Sequence, residues 1–375
     1  MKKFLHTTVS LFLIIPFVFI SCKKKTSTEE AITREVPRPV NVILLIGDGM
    51  GLAQVSTTVY FKKDGPSNFQ RFEYIGLINS SSADAKITDS AASGTAFACG
   101  ELTYNGAIGV DTAKQSITNI IEYVSRSGYQ TGVVATSSIT HATPASFYAH
   151  AASRNMNELI ATQLTESEVD VFMGGGRKFF ENREDGEDMI QRLKDRNFNI
   201  YYSLEELPAM DSGKKYGILA APDGLPPVYQ GRGEFLSQAT EKTLNYLSGK
   251  QQPFFLMVEG SQIDWAGHEN NGEYLITEML DFDRTIGKVM DFAEKNPGTL
   301  VIVTADHETG GLALSANSGS GMGANYDEIM PTFSTGGHTS TLLPVFASGP
   351  GAEKFAGIYQ NNQIYHKIVD LLSLE

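Results

Sequence analysis

Val40–Gly51 reads VNVILLIGDGMG, an unbroken apolar run followed by a glycine turn that carries one acid, Asp48. A strand buried on both faces shows this continuous pattern, as parallel strands do. The order strand, glycine turn, acid places Asp48 at a strand's carboxyl end, where open α/β sheets bind ligands. Three further runs repeat it. Gln130–Thr136 (QTGVVAT), Phe254–Val258 (FFLMV) and Thr299–Thr304 (TLVIVT) each lead into His, Asp, Glu or Thr. Helical patterns around Ser116–Ser127, Met189–Arg196, Glu234–Leu247 and Tyr274–Phe292 lie between and around them. The alternation predicts an α/β fold on a parallel sheet, with all four acid- and histidine-bearing ends at one edge.

The chain has 375 residues, 41% of them hydrophobic, enough for one large α/β domain or two smaller ones. Its beginning has another purpose. Lys2 and Lys3 precede an apolar run, Phe4–Ile20, that is short for a membrane span. The following FISC, residues 19–22, resembles a lipobox with Cys22 as the lipid-accepting residue, although Phe19 is an unusual first member. Residues 1–21 are therefore expected to be a signal peptide of the lipoprotein type, an ordinary secretory signal being the alternative. Residues 22–39, polar and ending in Pro37 and Pro39, are expected to be a flexible tether, and 40–375 the folded domain. This predicts an exported protein, periplasmic or membrane-anchored.

The net charge is −13, and loss of Lys2 and Lys3 makes the mature chain more acidic still. That balance argues against nucleic acid as a partner. It suits a protein that holds several divalent cations. Only Cys22 and Cys99 are present, so no internal disulfide is expected after lipidation of Cys22.

Ile87–Gly100, ITDSAASGTAFACG, puts Asp89 and Ser90 at the head of a small-residue segment that reads as a helix. A hydroxyl there sits where backbone N–H groups and the dipole favour an anion. No GxSxG elbow surrounds Ser90, so its proton must be removed in some other way. The chain has seven histidines, and four of them (His141, His268, His307, His338) fall in post-strand loops or Gly-rich turns. His150 and His366 adjoin no such loop and read as structural. Glu259 ends one strand, Asp264 and His268 are spaced i, i+4, and Asp306-His307 ends another. Thr143 and Arg154 follow His141 in the segment Ser137–Arg154. Gly174–Gly176 lacks the Lys-Ser/Thr of a phosphate-cradling loop, and residues 311–337, rich in Gly and Ser, read as an active-site loop.

Carboxylates and imidazoles without thiolate suit zinc, and carboxylate/hydroxyl sets suit magnesium. Two neighbouring cations clamp the attacking and leaving oxygens of an in-line displacement. A metal on the Ser90 hydroxyl would deprotonate it. Phosphate monoester hydrolysis, among the slowest uncatalysed reactions, fits so cation-rich a site.

At this point NVILLIGDGMG, ITDSAASGTAFACG, THATPASFYAHAASR, VEGSQIDWAGH, VTADHETGG and STGGHTS, in that order, resemble the bacterial alkaline phosphatases, nearest to their small cold-active marine and Antarctic members. The resemblance runs from about residue 40 to the end. It implies a three-layer, doubly wound α/β fold with a mostly parallel central sheet and helices on both faces. It also implies two Zn2+ and one Mg2+, a phosphoserine intermediate on Ser90, small-molecule phosphate monoesters as substrates and a homodimer. Asp264, His268 and His338 would hold one zinc, and Asp48, Asp306 and His307 the other. Asp48 would bridge to a third ion completed by Thr143 and Glu259, with His141 beside it. Arg154 would clamp the phosphoryl oxygens. His141 and Trp265 stand where better-known members have aspartate and lysine or histidine. Trp265 thereby removes a cation near the phosphate, and Asp89 is expected to orient Arg154, helix capping being the alternative.

Two other readings keep parts of this pattern. A diester or sulfate-ester hydrolase would use the same metals, although Arg154 favours monoesters. A lipoprotein that stores zinc or phosphate would bind without turnover, and it gives the Asp89-Ser90 helix start no purpose.

Overall fold

Ten strands make the central sheet, and the stretch that opens at Val40 lies in its middle. In a computed structural model that describes residues 38–181, 183–317 and 325–374, the strands in chain order begin with β1 (Asn41–Gly47), β2 (Tyr74–Asn79), β3 (Gln130–Ser138), β4 (Val171–Gly175) and β5 (Phe198–Tyr201). They continue with β6 (Lys215–Leu219), β7 (Phe254–Gly260), β8 (Thr299–Thr304), β9 (Glu308–Thr309), β10 (Leu312–Asn317), β11 (Asn325–Phe333), β12 (His338–Thr339), β13 (Leu343–Ser348) and β14 (Gly357–Gln360). The sheet order is β14-β2-β13-β8-β1-β7-β3-β4-β6-β5. Only β13 runs against the rest, paired antiparallel to both β8 and β2. The expected signal peptide, Cys22 and residues 22–37 of the tether lie outside the described residues.

The four runs read from the sequence as buried strands are neighbours, β8-β1-β7-β3. Consecutive strand residues point to opposite faces. Val42 through Ile46 are all fully buried, so helices cover both faces of β1. The parallel register sets Ile46 opposite both Glu259 and Thr304, which brings the four carboxyl ends level. Asp48 N donates to the Gly260 carbonyl at 3.2 Å, carrying the pairing one step beyond β1.

The helix Ser90–Cys99 is buried at every residue. Its small side chains let it lie in the core, and its chain leaves through Gly100 in the left-handed conformation (φ 75°). The helix Gly272–Lys295 buries one long face through Leu275, Met279, Phe282 and Ile286 and packs against the helix Phe235–Gly249. The expected helix at Ser116–Ser127 is shorter, Ile120–Ser125, because Asn119 and Glu122 form a capping box that starts it late. The Gly/Ser-rich stretch read as a loop carries a hairpin, β10 with β11. Strands β2, β5, β6 and β14 have no strong signal, since each is short or mixes exposed with buried positions. Among the described residues no helix is long and apolar enough to cross a membrane.

Candidate metal centre and active site

The site is built at the carboxyl edge of β8-β1-β7-β3. Asp48 follows β1 in a turn that only glycine permits: Gly49 has φ 76°, and a Cβ there would meet the Asp264 backbone at 2.7 Å. Glu259 lies in β7, with Asp264 and His268 on the short helix Gln262–His268 that follows. Asp306 and His307 follow β8. The two-residue ribbon of β12 with β9 sets His338 opposite Thr309 and so returns it to this edge. His141 and Thr143 begin the single-turn helix Ala142–Ala145 beyond β3.

His307 Nε2 is the point of convergence. It lies 3.1 Å from Ser90 Oγ, 3.2 Å from Asp306 Oδ2 and 3.4 Å from Asp48 Oδ1. These four residues are buried, and Asp48, Asp306 and His307 are wholly so. Sequence reading left Ser90 without a base, and the geometry gives it an imidazole nitrogen shared with two carboxylates. A second group lies toward solvent. Asp264 Oδ1 is 3.3 Å from His268 Nε2 and 3.5 Å from His338 Nε2, and those two nitrogens are 3.2 Å apart. The ring of His338 stacks on that of His307 with centroids 3.5 Å apart. The third group is Asp48, His141 and Glu259, whose ligand atoms lie within 4.8 Å of one another.

Orphaned atoms mark the purpose of this architecture. Both oxygens of Asp48, Asp306 Oδ2, Glu259 Oε1, Thr143 Oγ1 and His141 Nδ1 are buried without a hydrogen-bond partner. Buried carboxylates are normally paired or coordinate metal. Burial, then Asp306, Asp264 and Glu259, pushes the Asp48 carboxyl well above its ordinary range. Burial likewise raises Glu259 to about 7. Burial and the Arg154 guanidinium lower His141 to about 4, and burial lowers His307, so both imidazoles are neutral donors at neutral pH. The Asp264 hydrogen bond lifts His268 to about 9. Burial opposes ionisation of Asp264, yet His268 and His338 hold it well below the usual range. The donor set is oxygen and nitrogen throughout and has room for cations to replace these mutual contacts; it fits divalent metals.

The orienting contacts match that fit. His268 Nδ1 meets the Gly336 carbonyl at 2.7 Å and His338 Nδ1 the Thr88 carbonyl at 2.9 Å, which leaves each Nε2 free for a metal. Ser261 Oγ donates to Glu259 Oε2 at 2.5 Å, and Ser137 Oγ donates to the same oxygen at 3.1 Å. Asp306 Oδ1 accepts from the backbone N–H of Gly49 and of His307. Nothing in the sequence singles out Ser137, Ser261 or Thr309, because hydroxyl residues are too common for position alone to mark them.

Ser90 is the first residue of its helix, and Asp89 is the N-cap. Asp89 Oδ1 accepts from Ala92 N and Gly106 N, both at 3.0 Å. Its Oδ2 accepts from Arg154 Nη1 at 3.0 Å. Capping and orientation of Arg154, set out as alternatives, coexist on one carboxylate. Arg154 Nη2 lies 3.3 Å from His141 Nε2. Trp265 stands at the rim with its ring centroid 6.1 Å from that of His141. His150 and His366 sit elsewhere, on Gly109 O with Glu122 and on Gly100 O respectively. The Gly176 amide donates to the Ala221 and Asp223 carbonyls, so that glycine run holds a neighbouring loop and not a phosphate.

Comparison with known proteins agrees with the site. The alkaline phosphatase family profile matches residues 40–326. Alkaline phosphatase 3 of Bacillus subtilis is 30% identical over 457 aligned positions, covering 99% of this chain and 98% of that one. The solved alkaline phosphatase of the Antarctic bacterium TAB5 is 50% identical, superimposes with a TM-score of 0.87, and is covered over 91% of this chain and 100% of its own. A histidine-to-glutamate variant of it, 49% identical with the same TM-score and coverage, holds Mg in a site called M3. The expected likeness to the small cold-active bacterial members holds. With a profile match across most of the sheet and a buried serine set among carboxylates and imidazoles, the chain belongs to the alkaline phosphatase family, hydrolases of phosphate monoesters.

Proposed function

We propose that Ser90 Oγ is the nucleophile and that turnover passes through a phosphoserine. One observation carries this. Ser90 Oγ lies 3.1 Å from His307 Nε2, at a helix start, on a floor of buried carboxylate oxygens that have no partner of their own. Asp48, Asp306 and His307 would hold an inner zinc, and Asp264, His268 and His338 an outer one. Asp48, Thr143 and Glu259 would hold a third ion, magnesium, with His141 beside it making that pocket softer than an all-oxygen set. The Mg held by the TAB5 variant supports a third site of this kind. When bound, the ions supply Lewis-acid activation of the serine and of water and neutralise the charge on the phosphoryl oxygens.

The chain's own groups do the rest. The Ser90–Cys99 helix would direct its positive dipole end at the anion. Arg154, held by Asp89, presents two donors to two phosphoryl oxygens, an arrangement that favours a monoester over a diester. Trp265 forms an uncharged wall beside the phosphate. Ser90→Ala is expected to abolish hydrolysis of 4-nitrophenyl phosphate while leaving zinc content intact; unchanged turnover would refute the assignment.

We also infer export with a lipid on Cys22, and a homodimer. The FISC sequence supports the first. The second draws support from exposed apolar residues: Leu52, Val59 and Tyr60 share one face of the helix Leu52–Phe61, beside the β10–β11 hairpin with its exposed Tyr326 and Met330. Metabolic labelling with a fatty acid, compared between the native chain and Cys22→Ser, tests the anchor. Sedimentation of residues 40–375 tests the dimer.

A further inference from the structure

The Thr309 hydroxyl bridges the inner and outer groups. It is fully buried, and its Oγ1 lies 2.5 Å from Asp264 Oδ1 and 3.1 Å from His307 Nδ1. A hydroxyl has one proton to give. Thr309 Oγ1 donates to Asp264 Oδ1, so an oxygen lone pair faces His307. His307 Nδ1 must then be the protonated ring nitrogen, which leaves the Nε2 lone pair directed at Ser90, Asp48 and Asp306.

We propose that Thr309 is a positioning residue that couples the two zinc pockets, orienting Asp264 in one and fixing the tautomer of His307 in the other through a single hydroxyl proton. The inference rests on the zinc assignment above. What sets Thr309 apart is the contrast with the other two imidazoles. His268 and His338 lean on backbone carbonyls, which accept and never donate, so their tautomers are set locally. His307 leans on a hydroxyl, which can do either, and its polarity is decided by Asp264 across the pocket. The order of the inner ligand thus depends on a ligand of the outer pocket.

The test uses the zinc-loaded protein and its variants Thr309→Val and Thr309→Ser, equilibrated against a graded chelator with zinc per chain as the readout. Valine matches threonine in shape and lacks the hydroxyl, whereas serine keeps it. Thr309→Val is expected to release both zincs at about 10–100-fold weaker chelation, and Thr309→Ser to behave as the parent. Nitrogen-detected NMR of the imidazoles after the zinc has been chelated away is expected to show His307 protonated at Nδ1 in the parent and redistributed in Thr309→Val. Release of one zinc alone, or an unshifted midpoint for both, would overturn the coupling. Should Thr309→Val not fold, Thr309→Ala supplies the same comparison with Thr309→Ser. A parent chain that takes up no zinc would instead overturn the metal assignment, so the two failures are distinct.

Discussion

Asp89 grips Arg154 with one carboxylate oxygen at 3.0 Å and caps the helix of Ser90 with the other. One side chain therefore ties Arg154 to the start of the helix that carries Ser90, the proposed nucleophile. The grip and the cap also explain the carboxyl's low pKa: burial opposes ionisation, but the N–H of Ala92, the Arg154 charge and Gly106 outweigh it.

These functions separate by substitution. Asp89→Asn keeps a capping oxygen and gives up the charge on Arg154. It is expected to melt close to the parent while its KM for a phosphate monoester rises. Asp89→Ala loses both, with an additional stability cost of about 0.5–2 kcal/mol from the cap. Melting curves beside Michaelis parameters for both variants check this, and equal melting temperatures would separate the cap from stability.

Chelation should act on stability as well as on activity. Without cations Asp48, Asp306 and Glu259 share a buried space with six unsatisfied side-chain atoms, counting those of His141 and Thr143. The chelated protein is expected to melt well below the loaded one and to regain its melting temperature on adding Zn2+ and Mg2+, since binding to the folded state alone stabilises it by mass action. Calorimetry across a metal titration measures the shift.

Arg232 provides a check far from the chemistry. It is buried with Glu278 and Asp281, the latter at 3.0 Å. Arg232→Met strands two buried carboxylates and is expected to cost about 3–5 kcal/mol. Denaturant unfolding of that variant, with its activity at low temperature unchanged, is the expected pair of results.

The His150–Glu122 contact, 3.0 Å long, gives a pH signature. Burial disfavours charge on His150, but Glu122 and the Gly109 carbonyl outweigh it and raise its pKa above the ordinary 6.5. Glu122, despite partial burial, is lowered from 4.5 by His150 and by the Asn119 N–H. The histidine's contribution is complete below 6.5 and fades as pH rises through its folded value; the glutamate's is complete above 4.5 and fades on acidification. His150→Gln is therefore expected to lower the melting temperature more at about pH 6 than at about pH 9. Equal losses at both would count against the ion pair.

Much of this fold was written in continuous apolar runs. β1, β3, β7 and β8 are buried on both faces, and burial on both faces leaves an unbroken signature. β5 and β14 are short strands at the two sheet edges, half exposed, and local composition does not mark them. The hairpin of β10 and β11 was hidden by glycine and serine around it, while its strands pair through the backbone. The proposed ligands were legible because acids and histidines clustered after strands. The hydroxyls that orient them were not, since Ser137, Ser261 and Thr309 acquire meaning only from the oxygens they face.

The depth of the pocket has a consequence for how an ion held there would meet solvent. Asp48, Asp306 and His307 lie fully buried, the side chain of His268 is 42% exposed, and the His338 ring lies flat against that of His307. The outer residues are a door over the inner ones. An ion held in the deep position would be screened from solvent by the outer residues, a protection that shape alone supplies.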